Sequence, residues 1–263
     1  MFGLLMFLAF IFIIWLYASS GFVVGFFATL LFLFILYVKK FSSLCVLLAY
    51  RNYAKEDAKK ALYWFERGYK HGMNTRQKVT YSYYLLREGE PDKAETVLSS
   101  VLGFSGIRPD EKLLAKSHHA LILMKTGRED EALEELLEIF PTYKNSTMYG
   151  SIGYLYILKG DMEKALEFNK EAYEYNSDDA VILDNMVQLY NILGDGETAF
   201  SFAEKLMAKN PAFIEAYYNA ALAAKGVGKT DLAKEYLEKT ENLKTTFLSN
   251  VSHEDIKKLS EEL

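Results

Sequence analysis

MYGSIGYLYILKGDMEKALEFNKEAYEYNSDD, residues 148–179, decides the fold. Its apolar positions recur every three or four residues on both sides of Gly160-Asp161, so it reads as two amphipathic helices of about 12–14 residues joined by a tight turn. The glycine ends the first helix in a left-handed turn. The carboxylate after it stands at the positive N-terminus of the second. The same signature recurs as GREDEA at 127–132 and GKTDLA at 228–233.

Working outward, Ala61, Ala94, Ala132, Ala165, Ala199 and Ala233 are separated by 33, 38, 33, 34 and 34 residues, and Gly89, Gly127, Gly160, Gly194 and Gly228 precede five of them at a constant offset. Two markers in one register indicate an internal repeat. A small residue at the alanine position lets paired helices approach to the 8–10 Å typical of crossing helices. The 38-residue step falls at SSVLGFSGIRPDEK (99–112), which is read as a longer inter-repeat loop. Pro91 is expected in a first helical turn, and Pro109, Pro141 and Pro211 between helices.

The unit 148–179 and FIEAYYNAALAAKGVGKTDLAKEYLEKTENL (213–243) resemble tetratricopeptide repeats, specifically those of membrane-anchored bacterial proteins. Tyr149, Ile152-Gly153, Tyr156, Gly160, Ala165 and Ala172 match that family's 34-residue frame, and the 180–213 unit supplies Tyr190, Gly194, Ala199 and Pro211. Val187 departs from it, standing where glycine or alanine is usual. Asn169 and Ala203 replace the second aromatic, which is found one residue earlier as Phe168 and Phe202. The resemblance covers about residues 42–247, as five good units and a degenerate first one in which Glu56 takes the place of the turn glycine. After it, SHEDIKKLSEEL (252–263) opens with a capping-box pair, Ser252 and Asp255, and suits a terminal cap on a repeat stack.

The N-terminus has another character. Residues 1–38 contain no Asp, Glu, Lys or Arg. They form two apolar runs, MFGLLMFLAFIFIIWLY and FVVGFFATLLFLFILYV, around Ala18-Ser19-Ser20-Gly21. A single helix of that length would rise about 57 Å, nearly twice the hydrocarbon thickness, so two spans joined at Ser19-Ser20-Gly21 fit better. A cleaved signal peptide ending near Ala18 is the competing reading. Against it, no basic residue precedes the apolar run and a second run follows at once. Trp15, Tyr17 and Tyr37 fit an interfacial aromatic belt. Residues 39–87, opening with Lys39-Lys40, hold 11 basic against 3 acidic residues, whereas 88–263 hold 19 against 32. A basic block directly after a span places both termini and the repeats on the cytoplasmic side of a plasma or inner membrane.

The expected architecture is therefore all-α: a transmembrane helical hairpin (1–38), a basic juxtamembrane segment with the degenerate repeat (39–74), tetratricopeptide repeats (75–247) and a capping helix (248–263), about six helix pairs in all.

Composition narrows the function. The single cysteine, Cys45, excludes an intramolecular disulfide framework and is read as a small buried hydrophobe. His118 and His119 are adjacent and point to different faces of a helix, so they do not chelate a metal as an i, i+4 pair does. Gly228-Lys229-Thr230 lacks the earlier glycine and the preceding strand of a phosphate loop. The acidic distal region disfavours nucleic acid. No catalytic, metal or cofactor site is expected.

What the repeat implies instead is a concave face lined by the first helix of each unit. On the frame of the resembled family that face takes Tyr83 and Leu86; His118, Leu121 and Met124; Tyr154 and Ile157; Asp184, Asn185, Gln188 and Asn191; and Tyr218, Asn219, Leu222 and Lys225. The cationic set with which some members clamp a C-terminal carboxylate is absent. Asn185 and Asn219 are equivalent and 34 apart. In similar superhelices asparagines there bond a bound peptide's backbone, an amide offering both donor and acceptor. Tyr83, Tyr154 and Tyr218 supply apolar anchors with polar tips, beside Gln188. The expected function is a membrane-anchored, non-enzymatic scaffold or adaptor for a peptide or protein partner. The alternative is an assembly or quality-control factor for envelope membrane proteins that recognises clients partly through its spans.

Overall fold

The computed structural model describes residues 2–263; the side chains of residues 2–5 and of Lys39, one of the basic pair after the apolar runs, lie outside it. The described residues form thirteen α-helices and one 3-10 turn, with no strand among them. They divide into two compact units, Met1–Gln77 and Lys78–Leu263, each taken by itself below.

In the first unit, α1 (Phe2–Tyr53) contains the apolar stretch Met6–Val38, long and apolar enough to cross a membrane. Its helical backbone is interrupted at one residue, Gly21, with φ 83° and ψ 173°. That conformation is essentially open to glycine alone. Tyr17 Oη lies 3.3 Å from Thr29 Oγ1, twelve residues on. Along an unbroken helix those residues would stand about 18 Å apart; the chain changes direction at Gly21. The Tyr17 ring instead lies on Gly25, where a Cβ would fall 2.4 Å from it.

The end of α1 pairs with α2 (Ala58–Lys70) through buried Cys45, Ala49, Ala61, Phe65 and Gly68. Burial pushes the Cys45 thiol pKa up, as suits a packing residue. The turn between them has Glu56 at φ 63°. The residue standing in for the repeat glycine thus adopts the glycine's left-handed conformation. Asp57 caps α2 by accepting from the Lys60 N–H at 3.0 Å.

In the second unit five helix pairs follow: α3 (Thr75–Arg87, whose first turn belongs to the first unit) with α4 (Pro91–Leu102), α5 (Pro109–Lys125) with α6 (Glu129–Ile139), α7 (Ser146–Leu158) with α8 (Met162–Tyr175), α9 (Ala180–Leu193) with α10 (Gly196–Met207), and α11 (Ile214–Gly226) with α12 (Thr230–Lys239). This is a tetratricopeptide-like α-solenoid. All five turn glycines have φ between 72° and 80°. All six marker alanines, each on the second helix of its pair, are 0% exposed. Pro109 corrects one expectation: it opens α5 as its first residue, because a fixed φ and a missing N–H cost nothing there.

The departures from the repeat pattern have physical reasons. Asn169 is buried and donates through Nδ2 to the carbonyls of Gly153 at 3.1 Å and Ala165 at 2.8 Å. Gly153 leaves the room, since a Cβ there would stand 2.2 Å from Asn169 Oδ1. The aromatics one residue earlier face the seams instead. Phe168 packs on Tyr149 at 5.5 Å, and Phe202 stacks on Tyr190 at 5.7 Å. Beyond a 3-10 turn at Thr240–Asn242 comes α13 (His253–Glu261), opened by a reciprocal Ser252/Asp255 capping box. Leu259 and Ile256 of α13 pack on the α11–α12 core.

Candidate partner-binding cavity

The first helices α3, α5, α7, α9 and α11 direct side chains into one cavity of about 660 Å³ in the second unit. The helical stagger explains why: residues one repeat apart occupy the same face of successive parallel helices. Five expected residues meet there with Tyr83: Tyr154, Asn185, Gln188, Tyr218 and Asn219 all line it, as do Leu121, Met124 and Asp184. The same frame misplaces others. Leu86 and Ile157 are core residues, and His118 is largely buried, edge-on to Tyr83 at 5.9 Å. Burial holds His118 below the usual histidine pKa. Its neighbour His119 turns the other way and its Nδ1 lies 2.6 Å from Glu135 Oε2, which raises the His119 pKa.

The asparagines are built into the wall. Asn185, 2% exposed, donates through Nδ2 to the Gly150 carbonyl at 2.8 Å and to Asn169 Oδ1 at 3.3 Å. The acceptors fix the amide orientation: Asn169 gives both N–H groups to carbonyls, so only its oxygen faces Asn185. Asn219 donates through Nδ2 to Asp184 Oδ1 at 2.9 Å, and Asn191 Nδ2 donates to the backbone carbonyl of Asn219 at 2.9 Å. Asn185 thus turns two donated bonds into the fold and Asn219 one. They join α7 to α9 and α9 to α11, as buried amides are paired with acceptors inside the fold.

The cavity is charged unevenly. Burial pushes the Asp184 pKa up to about 7, opposed by the Asn219 hydrogen bond and reinforced by Glu215. Tyr154 is raised to about 12 by burial and by the same two carboxylates, and burial also raises Tyr218. The Lys125 pKa is lowered by burial while Glu215 acts against that shift. Arg87 and Lys244 complete the basic contribution to the lining. Among the described residues no group of three His, Cys, Asp or Glu side chains is placed to hold a metal ion.

Sequence reasoning missed the strap. After the 3-10 turn the chain does not run directly to α13; residues 243–251 cross the concave face. The Phe247 N–H donates to the Arg87 carbonyl at the end of α3 at 3.1 Å, and the Phe247 ring lies 3.9 Å from where a Gly89 Cβ would stand. The Asn250 N–H donates to Glu215 Oε1 at 2.6 Å, and Lys125 Nζ bonds Asn250 Oδ1. Lys244, Thr246, Leu248, Ser249, Asn250 and Val251 thereby form part of the cavity wall. The available signal was negative: Lys244–Asn250 carries no helical periodicity between two helical stretches.

Comparison with known proteins places this geometry. The tetratricopeptide repeat family model matches residues 146–179 and 214–244. BBSome complex member BBS4 of Bos taurus is 29% identical over 101 residues, 38% of this chain and 19% of that protein, so the chain matches about a fifth of that relative's length. Among solved structures, PilW, described as a widely conserved type IV pilus biogenesis factor, superposes with a TM-score of 0.62 at 15% identity, covering 84% of this chain and 99% of PilW. Pseudomonas aeruginosa PilF gives 0.59 at 14% identity, covering 85% and 99%. A thermophilic TPR protein of Thermus thermophilus, TTC0263, gives 0.58 at 19%, covering 72% and 98%. The chain carries tetratricopeptide repeats within an all-helical solenoid of the kind these structures share.

Proposed function

We propose that this chain is a non-catalytic scaffold that captures an extended peptide or partner segment on the concave face of its repeat unit, held at a membrane by its N-terminal segment. One observation carries the reading: five successive first helices bring Tyr83, Met124, Tyr154, Gln188 and Tyr218 to a single cavity of about 660 Å³ that is lined by both acidic and basic residues. Tyrosines give such a surface large contact area at little cost in side-chain entropy. Asn185 and Asn219 serve the site by holding its wall in register. The strap is the natural competitor for an incoming segment, since it already runs extended over the same face.

The anchor in this proposal is a two-span hairpin turning at Gly21, with both termini and the repeats cytoplasmic. Its supports are the glycine-only backbone at Gly21, the Tyr17–Thr29 contact and the basic excess after Val38. Membrane attachment raises the local concentration of weakly bound partners, so modest affinity suffices.

The test is site-specific photocrosslinking of the full chain in mild detergent. A crosslinker replacing Tyr154 or Tyr218 is expected to capture the same protein, and one replacing exposed Glu167 on α8 is expected to capture none. Tyr83→Ala is expected to weaken capture from both cavity positions. Equal capture from all three positions would refute a groove site. Exchange of residues 1–38 for an unrelated hairpin separates the two modes: retained capture places recognition in the repeats, and loss with intact targeting places it in the spans.

A further inference from the structure

Within Met1–Gln77, we propose that the return of α2 alongside α1 builds a binding surface for anionic phospholipid headgroups, an inference that rests on Met6–Val38 being membrane-embedded. The register of the two helices carries it. Tyr50 meets Phe65 at 5.7 Å, Gly68 sits where a Cβ would be 3.1 Å from Cys45 Cβ, and Phe41 meets His71 at 4.7 Å. The pairing is antiparallel, so each step along α2 leads back toward the apolar run. Its last turn lies level with Phe41, three residues or about 4.5 Å beyond Val38. A headgroup layer extends about 5–7 Å beyond the hydrocarbon on each side.

The residues at that level suit phosphate. The Arg67 guanidinium stands 5.5 Å over the Phe41 ring, 5.7 Å from Trp64 and 5.9 Å from Tyr63, and donates to Tyr63 Oη at 3.2 Å. Three rings hold it in place while the side chain stays exposed, so its planar fork is oriented before any phosphate arrives. Lys70 is exposed one turn on and pairs with Glu66 at 2.7 Å, both side chains more than half exposed. Such a pair is weak and yields readily to a surface bearing many phosphate charges. Gln77 Nε2 donates to Ser43 Oγ at 3.2 Å, which brings the start of α3 with Arg76 to the same layer, and Lys40 lies on α1 beside it. Residues 39–77 hold nine basic and three acidic residues. The carbonyls ending α2 would repel phosphate, but its C-terminal turn is closed internally, His71 N–H on Gly68 O and Gly72 N–H on Tyr69 O. Tyr63 and Trp64 flank the cations, the residue types that favour the interface. The occupant with this charge, adjoining this apolar segment, is the anionic lipid of the same leaflet.

The experiment uses the full chain with Trp15→Phe, which leaves Trp64 as the sole tryptophan, in nanodiscs of phosphatidylcholine with or without phosphatidylglycerol. Phosphatidylglycerol is expected to blue-shift Trp64 emission and shield it from aqueous acrylamide. Arg67→Gln/Lys70→Gln is expected to lose that shielding, with Lys59→Gln/Lys60→Gln at the far end of α2 keeping it. Inorganic phosphate added to phosphatidylcholine discs is expected to give no shift. Equal shielding in both lipids, or loss in both double variants alike, would overturn the surface; retained far-ultraviolet circular dichroism establishes that the variants fold. Failure of the chain to enter either disc would overturn the anchor itself, and is read separately from incorporation without a lipid effect.

Discussion

Asn219 donates a 2.9 Å hydrogen bond to Asp184, a carboxylic acid buried in the cavity wall whose pKa is pushed up to about 7. A carboxyl raised by burial disfavours its own ionised form, so between the ordinary value of 3.8 and about 7 the folded chain holds a proton that the unfolded chain has lost. Stability therefore falls as pH rises through that window and is flat above it. Asp184→Asn keeps an oxygen for Asn219 and removes the ionisation. It is expected to raise the melting temperature at pH 8, by at most about 4 kcal/mol in stability, and to leave it unchanged at pH 4. Equal effects at both pH values would show that Asp184 is not the titrating group.

The strap should be separable from the solenoid. Phe247→Ala and Asn250→Ala remove its ring contact at Gly89 and its side-chain bond to Lys125 while leaving α13 and its capping box intact. Hydrogen exchange in 243–251 is expected to accelerate with little change in the α7–α11 amides, since the strap's few contacts make it a low-stability element. If the groove binds an extended segment, the same variants are expected to capture partner more strongly. Unchanged exchange in 243–251 would place its stability elsewhere.

Gly153→Ala tests the close approach of α7 and α8. A Cβ at 2.2 Å from Asn169 Oδ1 forces that side chain out and breaks the chain of bonds from Gly153 through Asn169 and Asn185 to Gly150. A loss of about 1–3 kcal/mol is expected. In an Asn169→Ala background the same substitution should cost far less, because the clashing atom is gone. Additive losses in chemical denaturation would refute this account.

Glu56 carries the opposite prediction. It is exposed and holds φ 63°, a conformation unfavourable for a residue with a Cβ. Glu56→Gly is expected to stabilise the α1–α2 turn by about 0.5–1 kcal/mol, the gain in the folded turn outweighing the added freedom of the unfolded chain. A drop in the melting temperature would show that the Glu56 side chain contributes more than its backbone costs.

Periodicity in the sequence was enough for the repeat. Glycine at φ near 75° and alanine at 0% exposure are demands of backbone geometry and helix-crossing distance, and few residues meet them. Hence the positions of the turns and helix pairs in the second unit, and the cavity positions of Tyr83, Tyr154, Gln188 and Tyr218, were legible one residue at a time. The apolar character of Met6–Val38 was equally legible, since it depends on composition alone.

Tertiary structure decided what those positions do. Whether an asparagine on the inner face donates to a ligand or to the next helix depends on a carbonyl 35 residues away, as Asn185 and Gly150 show. The strap likewise rests on contacts between Phe247 and Arg87 and between Asn250 and Glu215, with no local pattern to announce them. A repeat encodes its own fold through short-range sterics. Hydrogen bonds between distant segments form only where three-dimensional packing brings a buried donor to an acceptor.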